Sequence, residues 1–116
     1  MVEQQLDTVF HALSDPTRRR MLARLSEGAR SIGDLATPLD MSFAGASKHV
    51  RVLEKAGLVR RHVVGRTHWC HLEALRLKEA RDLIDRYERF WTGRLDILED
   101  LLRADLDAEQ EKGKPT

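Results

Sequence analysis

Apolar residues recur along this chain first at helical spacing and then in alternation, and the change of period lays out its elements. Leu6, Val9, Phe10 and Leu13 fall on one side of a helix over about residues 3–13. Asp15-Pro16 restarts a helix, because Asp15 can accept from the free amides of the first turn and Pro16 has no amide to leave unpaired there. Met21, Leu22 and Leu25 give that second helix its apolar side, and Glu27-Gly28 marks its end. Ser31 and Asp34 form a capping box for a short third helix with Ile32, Leu35 and Ala36 inward, which Pro38 is expected to stop. Leu39 to Met41 make a tight link to Ser42, a natural cap for a fourth helix whose stripe is Ala46, Val50 and Leu53 and which closes at Gly57.

From Leu58 the pattern turns extended. Leu58–Val64 and Thr67–Leu72 flank Gly65-Arg66, which predicts a β-hairpin with a basic tip. A long helix follows from about Ala74 to Leu102, about 40 Å at the standard rise, with Gly93 as its only weak point. Leu77, Ala80, Ile84, Tyr87, Trp91, Leu95, Leu98 and Leu102 form one seam, and Leu83, Phe90, Ile97 and Leu101 widen it beyond what a small core can cover. A second subunit is therefore expected to cover the remainder. Residues 104–116 are polar, with Gly113 and Pro115, and are expected to be disordered. The fold class predicted is mainly α with a small β-hairpin, in the order α-α-α-α-β-β-α.

A chain of 116 residues makes one domain with a modest core, and its 34% charged content makes much of it surface. The net charge of +1 conceals segregation. Residues 42–66 carry six basic side chains against the single acid Glu54, whereas residues 96–111 carry seven acids against Arg103. The first window suits a polyanion; the second would be kept away from one. One cysteine excludes an internal disulfide. The start Met-Val-Glu-Gln-Gln lacks the basic and apolar regions of a secretory signal, so a cytoplasmic location is expected. No apolar run approaches the roughly 20 residues of a spanning helix, and no membrane association is expected.

The fourth helix is the strongest candidate for chemistry. Ser47, Lys48 and Arg51 project away from its apolar stripe, with a hydroxyl, an ammonium and a guanidinium suited to base edges and phosphates in a major groove. Ala44 and Gly45 would permit close approach of the backbone, and Ser42, Phe43 and Ala44 stand at the helix entrance. Phe43 could touch a thymine methyl or pack on the preceding turn; His49 could bond a phosphate or satisfy a neighbouring backbone group. Arg61 and Arg66 are expected to hold the hairpin on phosphates, while Arg18, Arg19 and Arg20 read mainly as solvated or paired. The alternative for the whole face is an ordinary solvated surface.

Other chemistry is thinner. His68, Cys70 and His71, with His62 across the hairpin, are the best case for a metal, but alternation separates His68 and Cys70 from His71, and two convergent ligands fall short of the four of a structural zinc site. No metal or cofactor is therefore expected, and an inward Cys70 without a second thiol reads as inert. Nucleophile–base pairs, phosphate loops and GxGxxG, HExxH or GxSxG words are not found, so no enzymatic activity is expected.

Two phrases, Ala12-Leu13-Ser14-Asp15-Pro16-Thr17-Arg18-Arg19-Arg20 and Ser47-Lys48-His49-Val50-Arg51-Val52-Leu53-Glu54-Lys55-Ala56-Gly57-Leu58-Val59, set in this order of elements, resemble the ArsR-type winged helix-turn-helix repressors. The resemblance covers roughly residues 5–102. It implies a homodimer on a palindromic, inverted-repeat operator in double-stranded DNA, with Ser42 to Arg51 in the major groove and the hairpin as wing. It also implies dimerisation through the first and last helices, for which Leu6, Phe10, Ile84, Tyr87, Trp91, Leu95, Leu98 and Leu102 are the candidates. Residues 1–103 would form the DNA-binding and dimerisation domain. Where metal-sensing members carry paired cysteines this chain has Arg30-Ser31-Ile32-Gly33-Asp34-Leu35, and residues 75–103 hold neither histidine nor cysteine, which points to a metal-independent branch. The alternatives are a metal- or thiol-responsive repressor using His68, Cys70 and His71, and a winged-helix module that binds an acidic protein. The operator, the target genes and any small-molecule inducer are left open by the sequence.

Overall fold

The computed structural model of the chain describes residues 2–113, with side chains from Gln4 to Glu111. It divides into two units, residues 1–81 and 82–116.

The first unit opens with α1 (Val2–Leu13) and α2 (Pro16–Leu25). Asp15 Oδ2 accepts the Arg18 backbone N–H at 3.0 Å, and Pro16 takes the first helical position. A two-residue strand, β1 (Arg30–Ser31), leads into α3 (Ile32–Ala36), whose Asp34 N–H is capped by Ser31 Oγ at 3.1 Å. As expected, α3 stops ahead of Pro38. The proline sits inside a 3-10 turn, Thr37–Leu39, because proline's fixed φ and missing amide are compatible with the first residues of a new helical turn. Asp40 then takes a left-handed conformation, φ 50°, and turns the chain toward Ser42, the cap of α4 (Phe43–Lys55). Ser42 Oγ accepts the Gly45 N–H at 3.0 Å.

Strands β2 (Val59–Val64) and β3 (Thr67–Leu72) form the predicted hairpin. Gly65 has φ 61° while Arg66 does not take a positive φ, the signature of a turn with glycine at its first central position. The sheet has one strand more than expected: its order is β1-β3-β2, all antiparallel, with Arg30 opposite Cys70 and Ser31 opposite Trp69. The core lies under this sheet and between the helices. Val9, Met21, Ile32, Leu35, Val50, Leu53, Leu58 and Cys70 are fully buried there. Each of the larger ones removes enough apolar surface from water to contribute about 1.5–3 kcal/mol.

The last helix, α5 (Leu75–Gly113), begins in the first unit and makes up the described part of the second. It runs past the point where the polar composition predicts a disordered tail. Residues 104–113 are helical because Ala104, Leu106, Ala108, Glu109 and Gln110 favour a helix, and Leu106 continues the four-residue spacing of Leu98 and Leu102. An Arg103–Glu99 pair at 2.8 Å, one turn apart, adds to this. The rest of the expected tail, 114–116, lies outside the described residues. Along this unit Ile84, Tyr87, Phe90, Trp91, Leu95, Leu98, Leu101 and Leu102 are all exposed.

Candidate nucleic-acid interface

The outer face of α4 is assembled by its first turn. Phe43, Ala44, Ser47, Lys48 and Arg51 line one shallow open groove, and Lys48 and Arg51 are exposed. Phe43, at 58% exposure, points to solvent instead of packing on the preceding turn. Gly45 also serves the helix cap. A Cβ there would lie 3.2 Å from Ser42 Oγ and 3.5 Å from Met41 Cε, so its missing side chain makes room for the helix cap. The basic tip of the hairpin is exposed as well, and Arg66 projects there without a carboxylate partner within ion-pair distance among the described residues.

His49 lies on the flank of α4, away from Ser47. Its Nδ1 is 3.3 Å from Arg18 Nη1 and 3.9 Å from Asp15 Oδ2. Arg18 is the residue whose role was not visible in the run of three arginines. It is buried, at 8% exposure, and donates from Nε to the Ala12 carbonyl at 2.8 Å and from Nη2 to the His11 carbonyl at 3.0 Å. These are carbonyls of the last turn of α1, where the helix's own amides run out; that of His11 also accepts the Ser14 amide at 3.1 Å and the Ser14 hydroxyl at 2.6 Å. Arg18 thereby ties α1 to α2 and to α4. The Arg18 amide, bonded to the Asp15 carboxylate, is the main cause that holds Asp15 below its ordinary pKa; desolvation opposes it, and the Arg18 guanidinium adds to the lowering.

Arg61 does not stand on the outer face of the wing. Strand alternation puts it on the same side as Val59 and opposite Cys70, where its Nη2 donates to Glu54 of α4 and its Nη1 meets His68 Nδ1 at 3.2 Å. A guanidinium held this way would have to break its pair to reach a phosphate. The side of the sheet on which Arg61 stands was legible in the period-2 pattern that makes Val59 a core residue. The outward cation of β2 is Arg60, which pairs with Glu73 at 3.3 Å.

The histidine and cysteine cluster is divided as alternation predicted. His62 and His71 meet edge to face on one side of the sheet, 6.5 Å between centroids, while His68 and Cys70 lie on the other. Among the described residues no three His, Cys, Asp or Glu side chains are placed to hold a metal ion. Cys70 is fully buried, and that burial pushes its thiol pKa up. Of the residues expected at a subunit interface, Leu6 is spent on the chain's own core, because its side of α1 faces inward with Val9. Phe10 is partly exposed, and Ile84, Tyr87, Trp91, Leu95, Leu98 and Leu102 stand in solvent.

The helix-turn-helix domain family matches residues 13–62, which run from the end of α1 to the middle of β2. The HTH-type transcriptional regulator Rv2034 of Mycobacterium tuberculosis is 36% identical over 86 residues, 74% of this chain and 78% of its own length. The transcriptional repressor SdpR of Bacillus subtilis is 32% identical over 75 residues, 65% of this chain and 83% of its own. Among solved structures, the ArsR family transcriptional regulator RHA00566 superposes with a TM-score of 0.73 at 36% identity, covering 78% of this chain and 93% of that one. The homodimeric winged helix-turn-helix DNA-binding domain of Mb0332 from Mycobacterium bovis (fragment 1–100) does so with a TM-score of 0.61 at 25% identity, covering 75% and 82%. The shared element order, the cationic outer face of α4 and these likenesses agree, and the chain belongs to the ArsR family of winged helix-turn-helix transcriptional regulators.

Proposed function

We propose that the protein is a cytoplasmic, homodimeric repressor that binds an inverted-repeat operator without a resident metal. The observation that carries this reading is the outer face of α4, where Ser47, Lys48 and Arg51 stand together beside the exposed Phe43 and Ala44. In a twofold dimer two such helices would enter successive major grooves about 34 Å apart. Ser47, Lys48 and Arg51 reach base edges and nearby phosphates, Ser42 to Ala44 lie at the groove edge, and Arg66 places the wing tip on the backbone. Repression is the activity named for the SdpR relative, and a homodimer is the form of the Mb0332 domain.

The exposed seam of residues 84–102 supports self-association, and its charges favour one orientation. Residues 76–95 hold six basic and four acidic side chains, whereas residues 96–111 hold seven acids and Arg103 alone. Antiparallel pairing of two copies sets the acidic half against the basic half; parallel pairing sets like charges together. Metal independence is supported by the engagement of His68 with Arg61, by the burial of Cys70 and by the lack of His and Cys from 75 to 103.

The test is a pull-down of genomic fragments, followed by titration of the selected duplex at rising salt. Lys48→Ala and Arg51→Ala should each weaken binding and reduce the salt slope by about one. An undiminished affinity in both variants, or no preference for any inverted repeat over random duplex, would overturn the proposal.

A further inference from the structure

The contact between Arg18 and His49 joins a buried arginine to a side chain at the flank of the recognition helix. Arginine has only donors and stays charged in proteins, so a hydrogen bond between its Nη1 and His49 Nδ1 requires that nitrogen to be the acceptor. The rival partner for Nδ1 is Asp15 Oδ2. It lies 3.9 Å away, beyond hydrogen-bond reach, and already accepts the Arg18 amide at 3.0 Å. An Nδ1 that accepts in this way leaves the ring proton to Nε2. The other two bonds of the guanidinium, to the carbonyls of Ala12 and His11, fix the fork so that Nη1 has one direction to offer. The His49 side chain keeps about a quarter of its surface in solvent, one residue from Lys48 and two from Arg51.

We propose that Arg18 is a positioning residue for DNA contact: by donating to His49 Nδ1 it holds the imidazole as the Nε2–H tautomer, with that N–H presented to a backbone phosphate. The proposal rests on the α4 face being the DNA face. It assigns His49 to positioning on the backbone and leaves reading of bases to Ser47, Lys48 and Arg51. A neutral donor on a phosphate carries no sequence information and displaces no counterion, so loss of His49 lowers affinity for operator and random duplex alike and leaves the salt slope unchanged.

Two measurements test it. Nitrogen-15 NMR of the free protein should show His49 Nδ1 unprotonated and Nε2 protonated; the reverse assignment overturns the proposal whatever the protein binds. On a random-sequence duplex of about 30 base pairs at about 50 mM salt, His49→Asn should lose roughly tenfold in affinity. His49→Gln, whose amide nitrogen can occupy the Nε2 position, should recover most of that loss. Equal affinities for the wild type and His49→Asn, or equal losses in Asn and Gln, overturn it. Arg18→Met should release the tautomer and bind about as weakly as His49→Asn. Should that variant fail to fold, the wild-type tautomer and the His49 pair still decide. Failure of the DNA-face reading is separate: Lys48→Ala would then bind the same duplex unchanged.

Discussion

Arg61 on β2 and Glu54 in the last turn of α4 form an ion pair at the joint between that helix and the hairpin, with 19% and 31% of their side-chain surfaces exposed. Arg61 Nε is buried there without a hydrogen-bond partner, so Glu54 supplies most of the compensation for bringing that cation in from water. Glu54→Gln should destabilise the fold by about 1–3 kcal/mol, read from the midpoint of chemical unfolding. Replacing both residues by apolar ones of similar size should restore much of the loss. An unchanged midpoint for Glu54→Gln would give the pair no more weight than an exposed one.

Asp15 makes acid stability depend on pH in a fixed direction. Its pKa is lower in the folded chain than in the unfolded one, chiefly through the Arg18 amide, so the unfolded chain binds the proton more readily. The stabilisation it supplies is complete above the ordinary carboxylate value, about 3.9, and drains away as the pH falls below that value toward the lowered one. Asp15→Ala should melt below the wild type at pH 7, and the gap should narrow in strong acid. A gap of constant size across that range would contradict the assignment.

Cys70 should behave as a buried apolar residue. Its thiol is kept protonated by desolvation and has no solvent-exposed surface, so alkylation of the native protein at pH 8 should be at least ~100-fold slower than that of the unfolded chain. Mild oxidant should leave DNA binding unaltered. Rapid native alkylation that releases the duplex would instead favour a thiol-responsive regulator.

The bare seam of α5 gives a concentration-dependent signal. Trp91 is 60% exposed in the single chain, beside Phe90 in an edge-to-face contact 5.8 Å between centroids. Self-association through this face should shift tryptophan emission to shorter wavelength as protein concentration rises. Leu98→Glu should abolish the shift and leave a monomer in sedimentation. A Leu98→Glu protein that still sediments as a dimer would place the interface elsewhere.

Local signals carried much of this molecule. Asp15-Pro16, Ser31-x-x-Asp34 and Ser42 were legible as helix starts because capping is chemistry within three residues, and Gly65 located the hairpin to the residue. What stayed hidden depends on distant partners. A strand of two residues has no periodicity, and β1 exists only because Arg30 and Ser31 find Cys70 and Trp69 some 40 positions later. Arg18 could not be told from Arg19 and Arg20 without the carbonyls at the end of α1 that it serves. Polar composition misled at residues 104–113, where the same charges that suggest a loose tail also decorate one face of a helix.

Ser31 holds two posts at once: its hydroxyl starts α3, and its backbone pairs with Trp69 of the wing. The front of the helix-turn-helix and the hairpin are thereby riveted across β3, while Arg61 and Glu54 rivet the same hairpin to the far end of α4. A reading head braced at both ends would ask more of the duplex it meets, so bases that no side chain touches would enter into the choice of site.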